Sequence, residues 1–166
     1  MQLTHYNTTF INRSFPIILL CDNINQSSNI GSLFRISDAF GVEKLILCGK
    51  DIKVGRKVTK VSRSTENSVD YEINHNVLNT IKAYNKKGYQ IIGLEITSNS
   101  KPLHKTIINT NQPICLVLGN ENFGISEQVL KLCHYTIYIN MFGKNTSMNV
   151  AQAANIALYE ITKQFL

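Results

Sequence analysis

The stretch "IILLCDNINQSSNIGSLFRISDAFGVEKLILC", residues 17–48, decides the fold. It opens on "IILLC", a run of strand length that is apolar at every position. A strand with one wet face alternates, whereas a strand buried on both faces does not. The period then changes in "NIGSLFRISDAFG". Ile30, Leu33 and Phe34 fall on one helical face, Ser27 to Asn29 are available as caps, and Gly41 is a stop. "KLILC", Lys44 to Cys48, is a second buried strand. Strand, helix and strand, with both strands apolar throughout, predict the building unit of a parallel sheet.

The alternation continues. A weak strand is expected near Val69 to Ile73, and "VLNTIKAYNKKG" reads as a helix ended by Gly88. "YQIIGLE", "ICLVLG" and "YTIYI" read as strands, and "SEQVLKLC" as a short helix. A last helix carries Val150, Ala153, Ala154, Ala157, Leu158 and Ile161 at helical spacing. These elements predict an α/β fold, a mostly parallel sheet with helices on both faces. No internal repeat or Pro/Gly/Ser-rich linker interrupts residues 1–166, which read as a single domain. Sheets of this kind bind ligands in the loops at the carboxyl ends of their strands. That rule directs attention to "DNINQSSN", "GNENFG" and "NMFGKNTSMN".

Composition narrows the classes. The chain is 43% hydrophobic and 17% charged, which suits a packed core and argues against disorder. No apolar run approaches a membrane span, and nothing near Met1 reads as a secretory leader, so a cytoplasmic location is expected. Cys21, Cys48, Cys115 and Cys133 lie in or beside apolar runs and form no C-x-x-C pair. They read as small buried hydrophobes, with neither a metal nor a disulfide framework expected. The net charge of +6 favours an acidic partner, of which nucleic acid is the commonest. The cations concentrate in "KDIKVGRKVTKVSR", which holds Lys50, Lys53, Arg56, Lys57, Lys60 and Arg63 against one acid, Asp51. A solvated basic loop is the plainer reading of that stretch.

The usual nucleotide signatures are missing. There is no G-x-x-x-x-G-K-[ST], and no G-x-G-x-x-G follows the first strand. His5, His75, His104 and His134 have no hydrolase context. What remains is a set of polar residues at the strand ends: Asn29, Arg35, Asn120, Glu121, Ser147 and Asn149. Each has a plain structural explanation. Asn29 and Ser147 suit helix caps, Arg35 suits pairing with Asp38, and Glu121 suits solvent. Arg35 lies off the apolar stripe of its helix, so burial does not explain it.

Taken together, "NQSSNIGSLFRISDAFGVEKLIL", "LVLGNENFGIS" and "IYINMFGKNTSMNVAQAANIALYE" resemble, in order, the three motifs of the SpoU/TrmH family of RNA ribose 2′-O-methyltransferases, within the SPOUT superfamily. The resemblance runs from about Ile17 to the end of the chain. It implies a sheet ending in a deep trefoil knot, and a homodimer as the working unit. It also implies S-adenosylmethionine as cofactor, touched by Leu94, Gly119, Ile139 and Met148. Asn29, Arg35, Glu121, Ser147 and Asn149 are the residues it implies for catalysis.

A ribose 2′-hydroxyl is a poor nucleophile until its proton leaves, so such an enzyme must align the hydroxyl and help the proton depart. Asn29, Ser147 and Asn149 can supply aligning hydrogen bonds. Arg35 matches the family arginine often assigned as the base. A guanidinium stays protonated, so phosphate contact and stabilisation of the developing alkoxide form the second role open to it. The chain departs from the pattern at Asn122, Asn140 and Met148, none of which removes a catalytic side chain. The resemblance is to a bare catalytic domain with no separate RNA-binding domain. RNA would then meet Lys53, Arg56, Lys57, Lys60 and Arg63, through salt-dependent phosphate contacts. Transfer RNA is the expected substrate. The alternatives are ribosomal RNA and a non-catalytic RNA-binding module of the same fold.

Overall fold

The computed structural model describes residues 8 and 10–166. Among the described residues, seven strands form one sheet: β1 (Phe15–Asp22), β2 (Val42–Cys48), β3 (Tyr71–Asn74), β4 (Gln90–Leu94), β5 (Lys101–Pro102), β6 (Ile114–Leu118) and β7 (Tyr135–Tyr138). The helices are α1 (Ser27–Ala39), α2 (Arg56–Ser62), α3 (Val77–Lys86), α4 (Glu127–Leu130) and α5 (Val150–Lys163). The strand order is β3-β2-β1-β6-β4-β7-β5, and every pairing is parallel.

Burial explains the apolar runs. Ile17, Leu19 and Cys21 of β1 enter one core cluster, and Ile18 and Leu20 enter the other. Leu45 and Leu47 against Ile46 and Cys48 divide in the same way on β2. The first cluster is closed by Ile30, Leu33 and Phe34 of α1 and by Ala151, Ala154, Ala157, Leu158 and Ile161 of α5. The second is closed by Ile81 and Tyr84 of α3 and Val129 of α4. Helices therefore cover both faces, as the doubly apolar strands require. Two short strands, β3 and β5, extend the edges. β5 carried no periodic signal because it has only two residues.

Local detail differs from the sequence reading in four places. Ser27, Ser28 and Asn29 lie inside α1, whose N-cap is Gln26 with no side-chain capping bond. The basic stretch is not a plain loop, because Arg56–Ser62 is helical and buries Val58 and Ser62. The short helix predicted to reach Cys133 stops at Leu130, with Ser126 as its cap. The N-cap of α5 is Asn149 rather than Ser147, and its side chain accepts from the Ala151 and Gln152 N–H groups. Gly41 does end α1, at φ +57°, and a Cβ there would run into the Arg13 carbonyl.

The strand order reverses beside β1. β2 and β3 lie on one side, and β6 and β4 on the other. Cys21, Leu118 and Leu94 stand in register across β1, β6 and β4, so those three strands finish at one level. A reversal of this kind opens a crevice at the carboxyl ends.

α2 seats directly on α1. A Cβ at Gly31 would lie 2.6 Å from the Val61 Cβ and 2.9 Å from the Val58 carbonyl oxygen. Gly31→Leu should therefore force α2 away and destabilise the protein by about 1–3 kcal/mol. The measurement is the urea unfolding midpoint; an unchanged midpoint would show that α2 is not held by this contact.

Candidate functional site: a polar cleft at the strand-order reversal

A cleft of about 570 Å³ opens where the strand order reverses. Loops after β1, β4, β6 and β7 and the start of α5 build its walls. Of the residues expected from sequence, Asn29, Glu121, Ser147 and Asn149 line it, together with Leu94, Gly119, Ile139 and Met148. Their separations along the chain reach 120 residues, as between Asn29 and Asn149.

One hydrogen-bonded chain joins three of them. Asn29, buried in the first turn of α1, donates from Nδ2 to Glu121 Oε1 at 2.9 Å. Its Oδ1 accepts from Asn149 Nδ2 at 3.0 Å. Asn149 in turn uses its Oδ1 to cap α5. The amide of Asn29 thus ties the loop after β6 to the start of the last helix. Ser147 is exposed at the cleft wall and precedes the helix.

The loop "GNENFG" is built for close approach. Gly119 is buried, and a Cβ on it would collide with the Gly124 carbonyl carbon and the Ile125 nitrogen. Asn120 and Gly124 exchange backbone bonds of 3.1 and 2.9 Å, with Gly124 at φ +65°. The Asn120 side chain accepts from the Asn122 and Phe123 N–H groups and donates to the Asn23 carbonyl at 2.7 Å. These bonds hold the chain of Glu121 over the end of β1.

Sequence reasoning missed Glu95. It follows β4, a strand end that the same carboxyl-end rule covers. Its Oε2 accepts from the Ile125 N–H at 2.9 Å, and Oε1 from the Ile96 N–H at 3.0 Å. The carboxylates of Glu95 and Glu121 both line the cleft, whereas no Lys or Arg does. A pocket with that balance suits a cationic or neutral ligand and disfavours a polyphosphate.

Two expectations fall outside the cleft. Arg35 is exposed on α1, one turn beyond Gly31, and is not among the lining residues. It does not pair with Asp38, whose carboxylate accepts from Ser68 Oγ at 3.3 Å. Lys53, Arg56, Lys57, Lys60 and Arg63 are all exposed on α2 and its flanks. Among the described residues none of those five makes an ion pair. Arg63 and Ser64 both adopt positive φ where α2 ends.

Cys21, Cys48 and Cys115 are buried and Cys133 half-buried, all as free thiols. Burial pushes the thiols of Cys48 and Cys133 up to about 11, and those of Cys21 and Cys115 are also raised by burial. Among the described residues no group of three or more His, Cys, Asp or Glu could hold a metal ion, and no helix is long and apolar enough to cross a membrane.

Known proteins resemble the chain in sequence and in fold. The model of the SpoU rRNA Methylase family matches residues 16–159. The 23S rRNA (guanosine-2′-O-)-methyltransferase of Blochmanniella floridana is 29% identical over 154 residues, which are 92% of this chain and 59% of that protein. The tRNA (guanosine(18)-2′-O)-methyltransferase of Aquifex aeolicus is 28% identical over 155 residues, 92% of this chain and 71% of that protein. The solved structure of the SpoU methyltransferase AviRb from Streptomyces viridochromogenes, in complex with the cofactor AdoMet, matches at a TM-score of 0.78 and 28% identity. It covers 93% of this chain and 62% of that one. The chain spans 58% and 59% of the length of the first curated relatives it matches.

Asn29→Ala removes both links of the part-buried bridge and leaves two polar groups without their partner. It should lower stability by about 1–3 kcal/mol, read as the fall in the urea midpoint. No fall would mean that the bridge is replaced by water at no cost. The thiols give a second check. A thiol with its pKa near 11 is ionised in about one molecule in a thousand at pH 8, against roughly a quarter for an ordinary thiol. Native protein should therefore resist iodoacetamide at pH 8, with all four cysteines reacting after unfolding in urea. Rapid alkylation of a cysteine in the native state would contradict that burial.

Proposed function

Because the chain belongs to the SpoU rRNA Methylase family, we propose that it transfers a methyl group from S-adenosylmethionine to a ribose 2′-hydroxyl of RNA. The observation that carries the reading is the cleft itself. Asn29, Glu121 and Asn149 are locked together at its wall, and its charge is anionic in a protein of net charge +6. S-adenosylmethionine supplies, when bound, an activated methyl group on a positively charged sulfonium. Leu94, Gly119, Ile139 and Met148 are the residues that would hold it, with Glu95 and Glu121 contributing a favourable field.

The chain's own residues divide the remaining work. Asn29 has both ends of its amide engaged, so it positions Glu121 and Asn149. Glu121 keeps Oε2 free of protein donors among the described residues, which leaves an acceptor for a ligand hydroxyl or amine. The exposed Ser147 hydroxyl is free to orient the ribose. Arg35, always charged, fits an RNA phosphate and the alkoxide that develops as the proton leaves better than it fits a base.

The reading extends to a homodimer and to a deep trefoil knot formed by the last two loops, both from the family resemblance. A groove between α1 and α5, lined by Ile36, Met148 and Ile156, offers a surface for a second copy. Transfer RNA in the cytoplasm is the substrate in this proposal, supported by the match to the Aquifex aeolicus enzyme. Ribosomal RNA is the second reading, supported by the match to the Blochmanniella floridana enzyme.

The test is transfer of labelled methyl from S-adenosylmethionine to unmodified bulk tRNA and, separately, to ribosomal RNA. Label in an alkali-resistant linkage of one pool is expected. Arg35→Ala should cut it at least about a hundredfold while cofactor affinity stays within twofold. Cofactor binding with no transfer to either pool would favour an RNA-binding module; no cofactor binding would overturn the reading of the cleft.

A further inference from the structure

The two loops that carry Glu121 and Ser147 each hold an exposed aromatic ring. Phe123 is 88% exposed and Phe142 95% exposed. Phe123 stands between Asn122 and Gly124, both of which line the cleft, and Phe142 follows Met141, which also lines it. Neither ring joins a core cluster. Each precedes a glycine, and beside Phe142 that glycine faces open space. Lys144, two residues further on, is exposed and makes no ion pair among the described residues.

Single exposed apolar side chains are common on protein surfaces. Their placement and shape distinguish these two. Both are flat, both lie on the loops that present Glu121 and Ser147, and one has a free cation in the same turn. Flat rings beside a cation match a nucleotide, with its base on the ring and its phosphate on the ammonium. A second copy of this chain is a poorer occupant, because the groove between α1 and α5 that offers it a surface is lined by neither ring.

We propose that Phe123, Phe142 and Lys144 form a nucleotide-binding platform at the edge of the cleft, which stacks unpaired bases of the RNA beside the ribose to be modified. This rests on the RNA-directed reading above and names how that RNA is gripped. Unpaired bases are what the platform selects, since bases held in a duplex offer no free face. The exposed cations of α2 would bind the backbone elsewhere and carry no such selection.

The chain contains no tryptophan, so Phe123→Trp and Phe142→Trp each create a single reporter. Each full-length variant is titrated with unmodified bulk tRNA, with ribosomal RNA, and with inorganic polyphosphate, which has charge but no bases. Lys82→Trp, on the exposed side of α3, is the control. The expected result is quenching of both reporters by RNA, none by polyphosphate, and none at the control position. In methyl transfer, Phe123→Ala and Phe142→Ala should each raise the RNA KM about tenfold, with cofactor affinity unchanged. Equal quenching by polyphosphate would overturn the proposal, as would no quenching by either RNA. Quenching on raising protein concentration alone would assign the rings to a contact between copies and overturn it too. The fluorescence titration needs no cofactor, so it decides the platform even if cofactor binding fails and the cleft reading falls.

Discussion

A carboxamide buried at the carboxyl end of the sheet must find partners for its donor and its acceptor, and Asn29 finds them on two different loops. The cost of leaving either group unpaired is of the order of 1–3 kcal/mol, which makes the arrangement close to all-or-none. The bridge forms only if α1 starts where it does, if the loop after β6 turns tightly, and if α5 begins at Asn149. Each condition is met by a separate local device. Gln26 lets α1 start without using Asn29 as a cap, Gly119 and Gly124 allow the tight turn, and Asn149 caps α5 with the oxygen that the bridge leaves unused. One amide therefore reads out whether three distant segments have folded correctly.

The sheet was legible because burial leaves a simple mark. Strands covered on both faces have no alternation to hide behind, and β1, β2, β4 and β6 stand where the apolar runs placed them. The polar residues were legible as a group through the resemblance of three ordered motifs, while their individual roles were not. Asn29 looked like a cap because Asn is a good cap, and nothing local distinguishes an amide that bonds the next turn from one that bonds a residue far along the chain. Ser147 and Asn149 posed the same ambiguity, and the structure resolves it in favour of Asn149. Glu95 was missed for a different reason: its backbone partners, Ile96 and Ile125, carry no side-chain signature. The helix α2 was hidden by its own cations, which drew attention to charge and away from the apolar pair Val58 and Val61 that docks it on Gly31.

Charge is sorted across this molecule. The exposed cations lie outside the cleft, densest on α2 and its flanks but also at positions such as Arg13, Lys82, Lys101, Lys131, Lys144 and Lys163, and the cleft holds Glu95 and Glu121 with no basic lining residue. A uniform basic surface would attract RNA into the cleft and repel a sulfonium from it. In the proposed enzyme, an acidic cleft in a chain of net charge +6 would do the reverse for each ligand, leaving the polyanion to the outer surface and drawing the cation to the interior. Screening sharpens the division: exposed phosphate contacts weaken with salt far more than interactions inside a recessed pocket. Arg35 fits this partition through its position. It is held on α1 one turn past the contact with α2, outside the cleft and on the helix that also carries Asn29. In the proposed enzyme, a cation there would be available to an RNA phosphate held outside the cleft.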